Sequence, residues 1–557
     1  MRKGIPLLLS LLVFGAARSE AAAQASCEDS NAHLNAGADA LAGFQGTGPE
    51  AFKRYRGAAL LAARETGGPV PSPSCLLRRY TLVRYGESMV RDLQEMIGFR
   101  TFATEGKENW GAPEFVRQRE WLEKKARALG FDFKGYDGRV EEITLPGPAP
   151  ILALLTHGDV QDVAGQQWSS PPWEARLVGD KMVGRGTEDD KGPIVASLYA
   201  MAALRDSGWT RNSTVRLLIA NGEESSWAEI PYYLERAPMP DHTLGIDAAY
   251  PVTHAQKGYG VITFRAAPVA EPRAGAWRVV KMSGGSGLSI IAERGEALLA
   301  PAGEAKDPTA ALADLSRLAA EWAAAHPPAK LTVSREGESL KVLAEGRGGH
   351  SSVPASGHNA LGDLTAFLST LDLRMDAWGA LAAFTGIALG TETDGRSLGI
   401  AHRDAAMGDL TVSLGFLQEE GGVPVAKINI RAPKGITREE IEKKLAERAA
   451  AFEGRAGAAV AAKVDSLGSS HYVAPEGELV ANLLAAWEEV TGQPGRPIAI
   501  GGGTQARLFK GGVDFGPALS MEDYRGHGTD EYLTVDELHR IAELTVAALW
   551  RLVGASK

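Results

Sequence analysis

Short, continuous apolar runs that alternate with helical stretches constrain the fold of this chain most strongly. Residues 151–156 (ILALLT) and 214–220 (TVRLLIA) are typical of buried β-strands. Helical periodicity follows each run, over residues 193–205 and 227–236. This alternation predicts an α/β fold with a mixed, largely parallel sheet, in which ligands bind beyond the carboxyl ends of the strands.

The pattern changes in the middle of the chain and divides it into parts. A helix is expected from Tyr80, and between residues 260 and 468 strands alternate with Ala-rich helices in a way that predicts an inserted α+β domain. The α/β pattern then returns and ends in a capped helix after Thr534. We therefore predict an Ala/Gly-rich helical segment over 26–79 and an α/β domain in two parts, 80–259 and 469–557, interrupted by the inserted domain 260–468.

The N-terminus has the features of a secretory signal. Arg2 and Lys3 precede an apolar stretch over residues 5–17, and small residues lead to the cleavage-site pattern Ala23-Gln24-Ala25. This predicts a signal peptide over residues 1–25 and a secreted or periplasmic protein. After export, Cys27 and Cys75 would meet an oxidising compartment and could pair.

Charge and cysteine content exclude several classes of function. The chain has 59 Lys and Arg against 69 Asp and Glu, a formal net charge of −10, which argues against nucleic acid or an anionic membrane as the main partner. Two cysteines are too few for a four-cysteine zinc site or an iron–sulfur cluster. Any metal must therefore be held by His, Asp and Glu.

Five polar motifs lie at the ends of the predicted strands or in glycine-containing loops. They are His157-Gly158-Asp159, Gly184-Arg-Gly-Thr-Glu-Asp-Asp-Lys-Gly192, Asn221-Gly222-Glu223-Glu224, Gly245-Ile246-Asp247 and His527-Gly-Thr-Asp-Glu531. Taken singly, each has an ordinary structural explanation, such as helix capping or a solvated acidic turn. Together, two histidines and several carboxylates without thiolates suit a pair of zinc ions, or Mn or Co as substitutes.

The order and form of these motifs resemble a known family. The series H-G-D, G-R-G-x-x-D-D-K-G, G-x-E-E-S, D-A-x-Y/F-P, G-G-H-S/G, G-G-G-T and H-x-x-N/D-E, found within residues 80–552, resembles the co-catalytic dinuclear zinc exopeptidases, such as aminoacylase, carnosinase and carboxypeptidase G. The Asp-Asp-Lys-Gly-Pro form is most like the dipeptidase V branch. The resemblance implies a zinc-exopeptidase catalytic domain with the inserted domain as its lid.

The resemblance also implies a role for each motif residue. His157 and Asp247 would bind one metal ion, Glu224 and His527 the other, and Asp189 would bridge them, with a cis peptide bond after Asp189 as is common in the family. Glu223 would be the general base that takes a proton from a metal-bridging water. Asp159 would accept a hydrogen bond from the ring of His157.

Further residues are implied to contact the substrate. His350 in the inserted domain would stabilise the oxyanion of the tetrahedral intermediate, and Arg431 would hold the substrate's carboxylate. The glycine turn that contains Gly502, Gly503 and Thr504, with Arg507, would approach the substrate backbone. Where the family commonly has N-x-V-P in its lid, this chain has Ser289-Ile290-Ile291-Ala292, so that Ser289 replaces an asparagine and the usual dipeptide specificity is open.

The sequence thus predicts an exported dinuclear zinc dipeptidase or aminopeptidase acting on small peptides. The nearer alternative is an N-acyl-amino-acid amidohydrolase or carboxypeptidase with the same metal core. The alternative from another class is a non-catalytic binding protein on this fold, against which the complete set of motif residues argues. The size of the inserted domain resembles that of single-chain relatives whose lid covers the site without a second subunit, which favours a monomer.

Overall fold

The structure is a computed structural model that describes residue 27 and residues 29–104, 110–164, 166–302, 308–521 and 523–554. The predicted signal peptide, residues 1–25, lies outside the described residues. None of the helices in the described ranges is both long and apolar enough to span a membrane. The helices are α1 (Asn31–Leu41), α2 (Gly48–Thr66), α3 (Pro73–Ile97), α4 (Pro113–Ala128), α5 (Gly192–Asp206), α6 (Glu229–Leu234), α7 (Pro308–Ala325), α8 (Ala360–Leu368), α9 (Ala377–Ala388), α10 (Arg438–Ala456), α11 (Glu478–Thr491) and α12 (Val535–Leu552).

The strands form two large sheets and three small ones. In chain order they are β1 (Asp132–Tyr136), β2 (Val140–Leu145), β3 (Ile151–His157), β4 (Arg176–Val178), β5 (Lys181–Val183), β6 (Thr214–Ala220), β7 (His242–Gly245), β8 (Ala248–Ala249), β9 (Val252–Gln256), β10 (Gly258–Ala266), β11 (Trp277–Gly284), β12 (Arg294–Pro301), β13 (Lys330–Glu336), β14 (Ser339–Glu345), β15 (Arg403–Asp404), β16 (Gly408–Asp409), β17 (Thr411–Glu420), β18 (Val423–Ala432), β19 (Val460–Leu467), β20 (His471–Tyr472), β21 (Pro497–Ile500), β22 (Val513–Asp514), β23 (Pro517–Ala518) and β24 (Tyr532–Thr534).

The first large sheet is mixed and carries the two apolar runs at its centre. Its order is β1-β2-β6-β3-β7-β22-β9-β20, with β21 also paired to β9. β6, β3 and β7 are parallel to one another, and β2 and β20 are antiparallel to their neighbours. Strands buried on both faces are continuously apolar, as β3 and β6 are, because helices such as α5 cover the sheet. The predicted α/β fold class is confirmed.

The second large sheet is formed by residues between Gly258 and Leu467. It is antiparallel, with the order β13-β14-β12-β11-β17-β18-β10-β19. β14 alternates buried and partly exposed residues, as expected of a sheet with one face on a core. Helices α8, α9 and α10 pack with this sheet around a hydrophobic core of its own. Chain entry and exit lie side by side, since a Cβ on Gly258 would be 2.1 Å from the carbonyl oxygen of Gly468.

The N-terminal helices pack against the first sheet's helical layer. Cys27 and Cys75 form a disulfide, with 5.4 Å between their Cα atoms, so the predicted pairing is confirmed. The expectation that a helix begins at Tyr80 was wrong, because α3 begins at Pro73. Ser72 caps this helix by accepting a hydrogen bond from the Cys75 amide, and proline fits the first helical turn.

Candidate metal centre

Three parallel strands bring most of the motif residues to one edge of the first sheet. His157 is the last residue of β3 and is paired in register with Ala220, the last residue of β6, after which Glu223 and Glu224 follow. β7 lies on the other side of β3 and ends at Gly245, two residues before Asp247. The carboxyl ends of adjacent parallel strands meet at one edge, which is where such sheets bind ligands.

Two further residues reach this edge from loops. Asp189 lies in the turn that leads from β5 into α5, and the peptide bond between Asp189 and Asp190 is cis, as the resemblance implied. His527 lies in the loop before β24, which pairs with β5 in an antiparallel manner. This pairing places the His527 loop beside the Asp189 turn, although the two are far apart in the chain.

The assembled side chains form two groups that share Asp189. One consists of His157, Asp189 and Asp247, the other of Asp189, Glu224 and His527, and in each group the potential ligand atoms lie within 4.8 Å of one another. Asp189 Oδ1 is 2.8 Å from His157 Nε2, which is 3.5 Å from Asp247 Oδ1. Asp189 Oδ2 is 3.0 Å from His527 Nε2, which is 2.8 Å from Glu224 Oε1.

The chemistry of these groups fits divalent cations. His157 Nε2 is buried and makes no hydrogen bond of acceptable geometry, although Asp189 lies beside it. Burial raises the pKa of Asp247 to about 6. Burial, followed by the charge of Asp247, raises the pKa of Glu223 well above its usual range. A positive ion shared by these carboxylates and imidazoles would relieve their mutual repulsion.

The expectation for Asp159 was wrong in one respect. His157 Nδ1 lies 3.0 Å from the backbone carbonyl oxygen of Asp159, and its distance to Asp159 Oδ1 is 3.6 Å. The carboxylate of Asp159 instead accepts hydrogen bonds from the amides of Glu223 and Glu224, at 3.2 and 3.0 Å. The chain turns after β3, so the Asp159 side chain faces the neighbouring strand end and fixes the turn that carries both glutamates.

The Glu223 side chain stands beside both groups. It lines a small cavity together with His157 and Asp247. Among the described residues it belongs to neither group of potential ligands. Its backbone carbonyl accepts a hydrogen bond from the indole of Trp227, at 2.6 Å. A carboxylate that lies beside candidate metal ligands without belonging to them has a position from which it could exchange protons with a bound water.

His350 lies in the loop that follows β14, a strand of the second large sheet. Its Nδ1 accepts hydrogen bonds from Ser352, from the amide at 3.1 Å and the hydroxyl at 2.6 Å. An acceptor at Nδ1 leaves the ring proton on Nε2. The ring keeps contact with solvent, yet its desolvation, with the charges of Arg431 and His527, lowers the pKa of His350 to about 4. A neutral imidazole is therefore available as an N–H donor.

The residues predicted to hold the substrate occupy different positions around His350. Arg431 is buried, donates to Asn429 and to the Gly501 carbonyl, and lies 4.8 Å from the centre of the Tyr259 ring. Ser289 is exposed, and its carbonyl accepts a hydrogen bond from the Ser351 amide at 2.9 Å, beside His350.

The glycine turn contacts Arg431 through the Gly501 carbonyl, and Thr504 and Arg507 attach it to the rest of the protein. Gly502 has open space around its Cα, whereas a Cβ on Gly503 would lie 2.8 Å from Arg507 Nη1. The Thr504 hydroxyl donates to the buried Asp514 at 2.8 Å, and Arg507 donates to the carbonyls of Lys257 and Ser469. The side chains of Thr504 and Arg507 are thus engaged within the protein.

Two residues at the centre were missed by sequence reasoning. The Tyr524 hydroxyl donates to Asp189 Oδ2, and Gln161 Nε2 donates to Glu224 Oε2 at 2.8 Å. Gln161 follows the His157-Gly158-Asp159 motif, and Tyr524 precedes the motif that begins at His527. Neither residue type is diagnostic of a metal site, so only proximity to His157 and His527 in the chain could have indicated them.

Comparison with known proteins identifies the family. The model of peptidase family M20/M25/M40 matches residues 153–551, which is more than half of the chain. The chain belongs to this family. It is 29% identical over 484 residues to YtjP of Bacillus subtilis (strain 168), a protein provisionally named a dipeptidase, covering 85% of this chain and 98% of that protein.

Two further proteins are similar to this chain, one in sequence and one in fold. The chain is 27% identical over 433 residues to the Beta-Ala-Xaa dipeptidase of Lactobacillus delbrueckii subsp. lactis, covering 77% of this chain and 87% of that enzyme. The crystal structure of human carnosine dipeptidase 1 has the same fold, with a TM-score of 0.53 and 14% identity over 87% of this chain and 99% of that one. The resemblance seen in the motifs is therefore confirmed, and the protein is a metal-binding peptidase of the dipeptidase type.

Proposed function

We propose that this M20/M25/M40 family member is an exported dipeptidase that uses two zinc ions to hydrolyse the peptide bond of small peptides. The observation that carries the proposal is the arrangement around Asp189. Each of its two carboxylate oxygens faces a separate pair of one histidine and one further carboxylate. A carboxylate placed in this way can bridge two cations, and oxygen and imidazole ligands suit zinc.

The proposed ligands divide between the two ions. His157 and Asp247 would hold one ion, Glu224 and His527 the other, and Asp189 both. The hydrogen bond from His157 Nδ1 to the Asp159 carbonyl supports this, because it leaves the Nε2 lone pair directed at Asp189 and Asp247. When bound, two such ions would lower the pKa of a coordinated water molecule and polarise the scissile carbonyl.

Glu223 would act as the general base. Its carboxylate borders the same cavity as His157 and Asp247, and burial with the charge of Asp247 raises its affinity for a proton. It would take the proton of the attacking water and deliver it to the nitrogen of the leaving amine. Asp159 would act indirectly, since its carboxylate holds the backbone amides of Glu223 and Glu224.

Residues 260–468 would serve as the lid that completes the site. His350 Nε2 would donate a hydrogen bond to the oxyanion that develops on the substrate carbonyl. Arg431 would bind the substrate's carboxylate, since its guanidinium retains donor capacity beyond its bonds to Asn429 and Gly501. Ser289 and the backbone of Gly502 and Gly503 would border the remainder of the substrate.

Export and a monomeric state are part of the proposal. The disulfide between Cys27 and Cys75 supports an oxidising compartment, in agreement with the signal-like residues 1–25. Thiol titration of the denatured mature protein should find no free thiol, and light scattering should give the mass of one chain. Two free thiols would contradict export into an oxidising compartment, and a dimer would contradict the single-chain site.

The decisive experiment combines metal analysis with a substrate panel. Two zinc ions per chain are expected, with peptidase activity lost on chelation and restored by zinc. Dipeptides with a free α-amine should be hydrolysed and their N-acetylated counterparts should not. Preference for the acetylated substrates would instead indicate an amidohydrolase, and fewer than one metal ion per chain without turnover would indicate a binding protein.

A further inference from the structure

The loop that carries His527 and the turn that carries Asp189 are joined by a buried ion pair. Arg185 Nη1 donates to Glu531 Oε2 at 2.7 Å. Both side chains are almost completely buried, with 1% and 0% of their surfaces exposed. Arg185 precedes Asp189 by four residues and Glu531 follows His527 by four, so this pair lies behind the proposed metal ligands and not among them.

Glu531 organises the turn on the Asp189 side. Its Oε1 accepts hydrogen bonds from the amides of Glu188 and Asp189, at 2.9 and 3.1 Å, and its Oε2 accepts one from the Gly186 amide at 3.0 Å. With the bond from Arg185, the carboxylate has four donors. A buried carboxylate with this many donors fixes the path of the backbone that delivers Asp189.

Arg185 organises the loop on the His527 side. Its Nη2 donates to the backbone carbonyl of His527 at 3.1 Å, and Gln166 Nε2 donates to the same oxygen at 2.8 Å. His527 has a φ of 63°, in the left-handed region that side chains other than glycine rarely adopt. Two donors on its carbonyl hold the peptide in this conformation, and thereby aim the imidazole at Asp189 and Glu224.

The connection is reciprocal, because the turn also provides an acceptor for the loop. Glu188 Oε2 accepts hydrogen bonds from the amides of Arg525 and Gly526, at 2.5 and 3.1 Å. Side chains of the turn and of the loop therefore each accept hydrogen bonds from the other segment's backbone, which fixes the positions of His527 and Asp189 relative to one another.

We propose that Arg185, Glu531 and Gln166 are positioning residues that set the metal affinity of the site formed by His527, Glu224 and Asp189. This inference rests on the proposed metal centre. Among the described residues, none of these three side chains belongs to the two groups of potential ligands. They act by holding the left-handed His527 peptide and the Asp189 turn in the geometry that ligation needs. Residues that orient metal ligands in this way commonly change metal affinity 10–100-fold when they are replaced.

The test measures zinc affinity directly in two mild variants. Gln166→Ala removes one of the two donors to the His527 carbonyl and the acceptor of a second hydrogen bond from Arg185 Nη2, but leaves both members of the ion pair in place. Arg185→Lys keeps a positive charge for Glu531 but cannot reach both Glu531 and His527 as the guanidinium does. Arg176→Lys is the matched control, because Arg176 lies on the neighbouring strand β4, is exposed and pairs with Glu174. Zinc binding to the apoproteins is followed by competition with a chromogenic chelator.

The expected result is a 10–100-fold rise in one of the two zinc dissociation constants in Gln166→Ala and Arg185→Lys. At saturating zinc, the KM of both variants should equal that of the wild type, and Arg176→Lys should behave as wild type throughout. Unchanged zinc affinity in both variants, with or without a lower Tm, would overturn the inference. The ion pair between Arg185 and Glu531 would then contribute to folding alone. Wild-type apoprotein that binds no zinc would overturn the proposed function, and this inference with it.

Discussion

Replacing His350 by alanine should reduce turnover without affecting binding or folding. The hydrogen bonds from Ser352 leave the ring proton on Nε2, so in the proposed mechanism the imidazole would supply one donor to the developing oxyanion. Loss of one such donor costs about 10²–10³ in kcat, or roughly 3 kcal/mol of transition-state stabilisation. KM should change little, because the oxyanion exists only in the transition state and the tetrahedral intermediate.

The local structure indicates that this substitution is tolerated. The backbone around His350 is held by hydrogen bonds from Ser351 to Ser289 and from Ile291 to Gly349, which do not involve the imidazole. His350 is an exposed residue outside the hydrophobic core, so the substitution leaves no core cavity, and the free energy of unfolding should stay within about 0.5 kcal/mol of the wild type.

A second variant grades the effect. Ser352→Ala removes the hydroxyl at 2.6 Å from Nδ1 but leaves the amide at 3.1 Å. One hydrogen bond is worth about 1 kcal/mol, so kcat should fall about fivefold.

The assay is steady-state hydrolysis of a free-amine dipeptide at saturating zinc, with metal content and Tm measured in parallel. His326→Ala is the matched control, since His326 lies just after α7 and stacks on Trp322. A His350→Ala variant with kcat within fivefold of the wild type, or with its loss confined to KM, would refute the assignment. So would a Ser352→Ala variant that is more impaired than His350→Ala.

The remaining predictions concern the base, the ionisation of His350 and the disulfide. Glu223→Ala should retain its zinc but lose most of its kcat, by metal analysis and steady-state kinetics; full activity would remove Glu223 from the mechanism. Because the pKa of His350 is lowered to about 4, its ring stays neutral above about pH 5.5. The ratio of the wild-type kcat to the His350→Ala kcat should therefore be constant between about pH 5.5 and 8. A change of that ratio near pH 6.5 would contradict this prediction. The Cys27→Ser/Cys75→Ser double variant should lose about 2–4 kcal/mol in the free energy of unfolding, because the bridge closes a loop between residues 48 apart in sequence. A change below about 1 kcal/mol in denaturant titrations would contradict this prediction.

Local patterns in the sequence predicted the parts of the fold that depend on local physics. The run at residues 214–220 is the strand β6 without any shift of its ends. The start of α3 was missed because its signal is a cap, Ser72 followed by Pro73, within a segment that otherwise has the composition of a turn. Periodicity locates the middle of an element better than its ends.

The sequence by itself determined which residue types could form a metal site. With two cysteines in the whole chain, the ligands had to be histidines and carboxylates, and strand-end motifs indicated which ones. Parallel pairing of β3, β6 and β7 then brings their carboxyl ends together. This much follows from local pattern and from the general geometry of α/β sheets.

Only the tertiary structure decided how these residues are oriented. Arg185 and Glu531 are 346 positions apart and meet because β24 pairs with β5. The positions of loops in space also determine that His157 Nδ1 contacts the carbonyl of Asp159 instead of its carboxylate. They likewise determine that Ser352 contacts Nδ1 of His350, which leaves the ring proton on Nε2. Whether a hydrogen bond forms depends on a few tenths of an ångström in the distance between donor and acceptor. Long-range packing sets that distance, and a sequence pattern does not contain it.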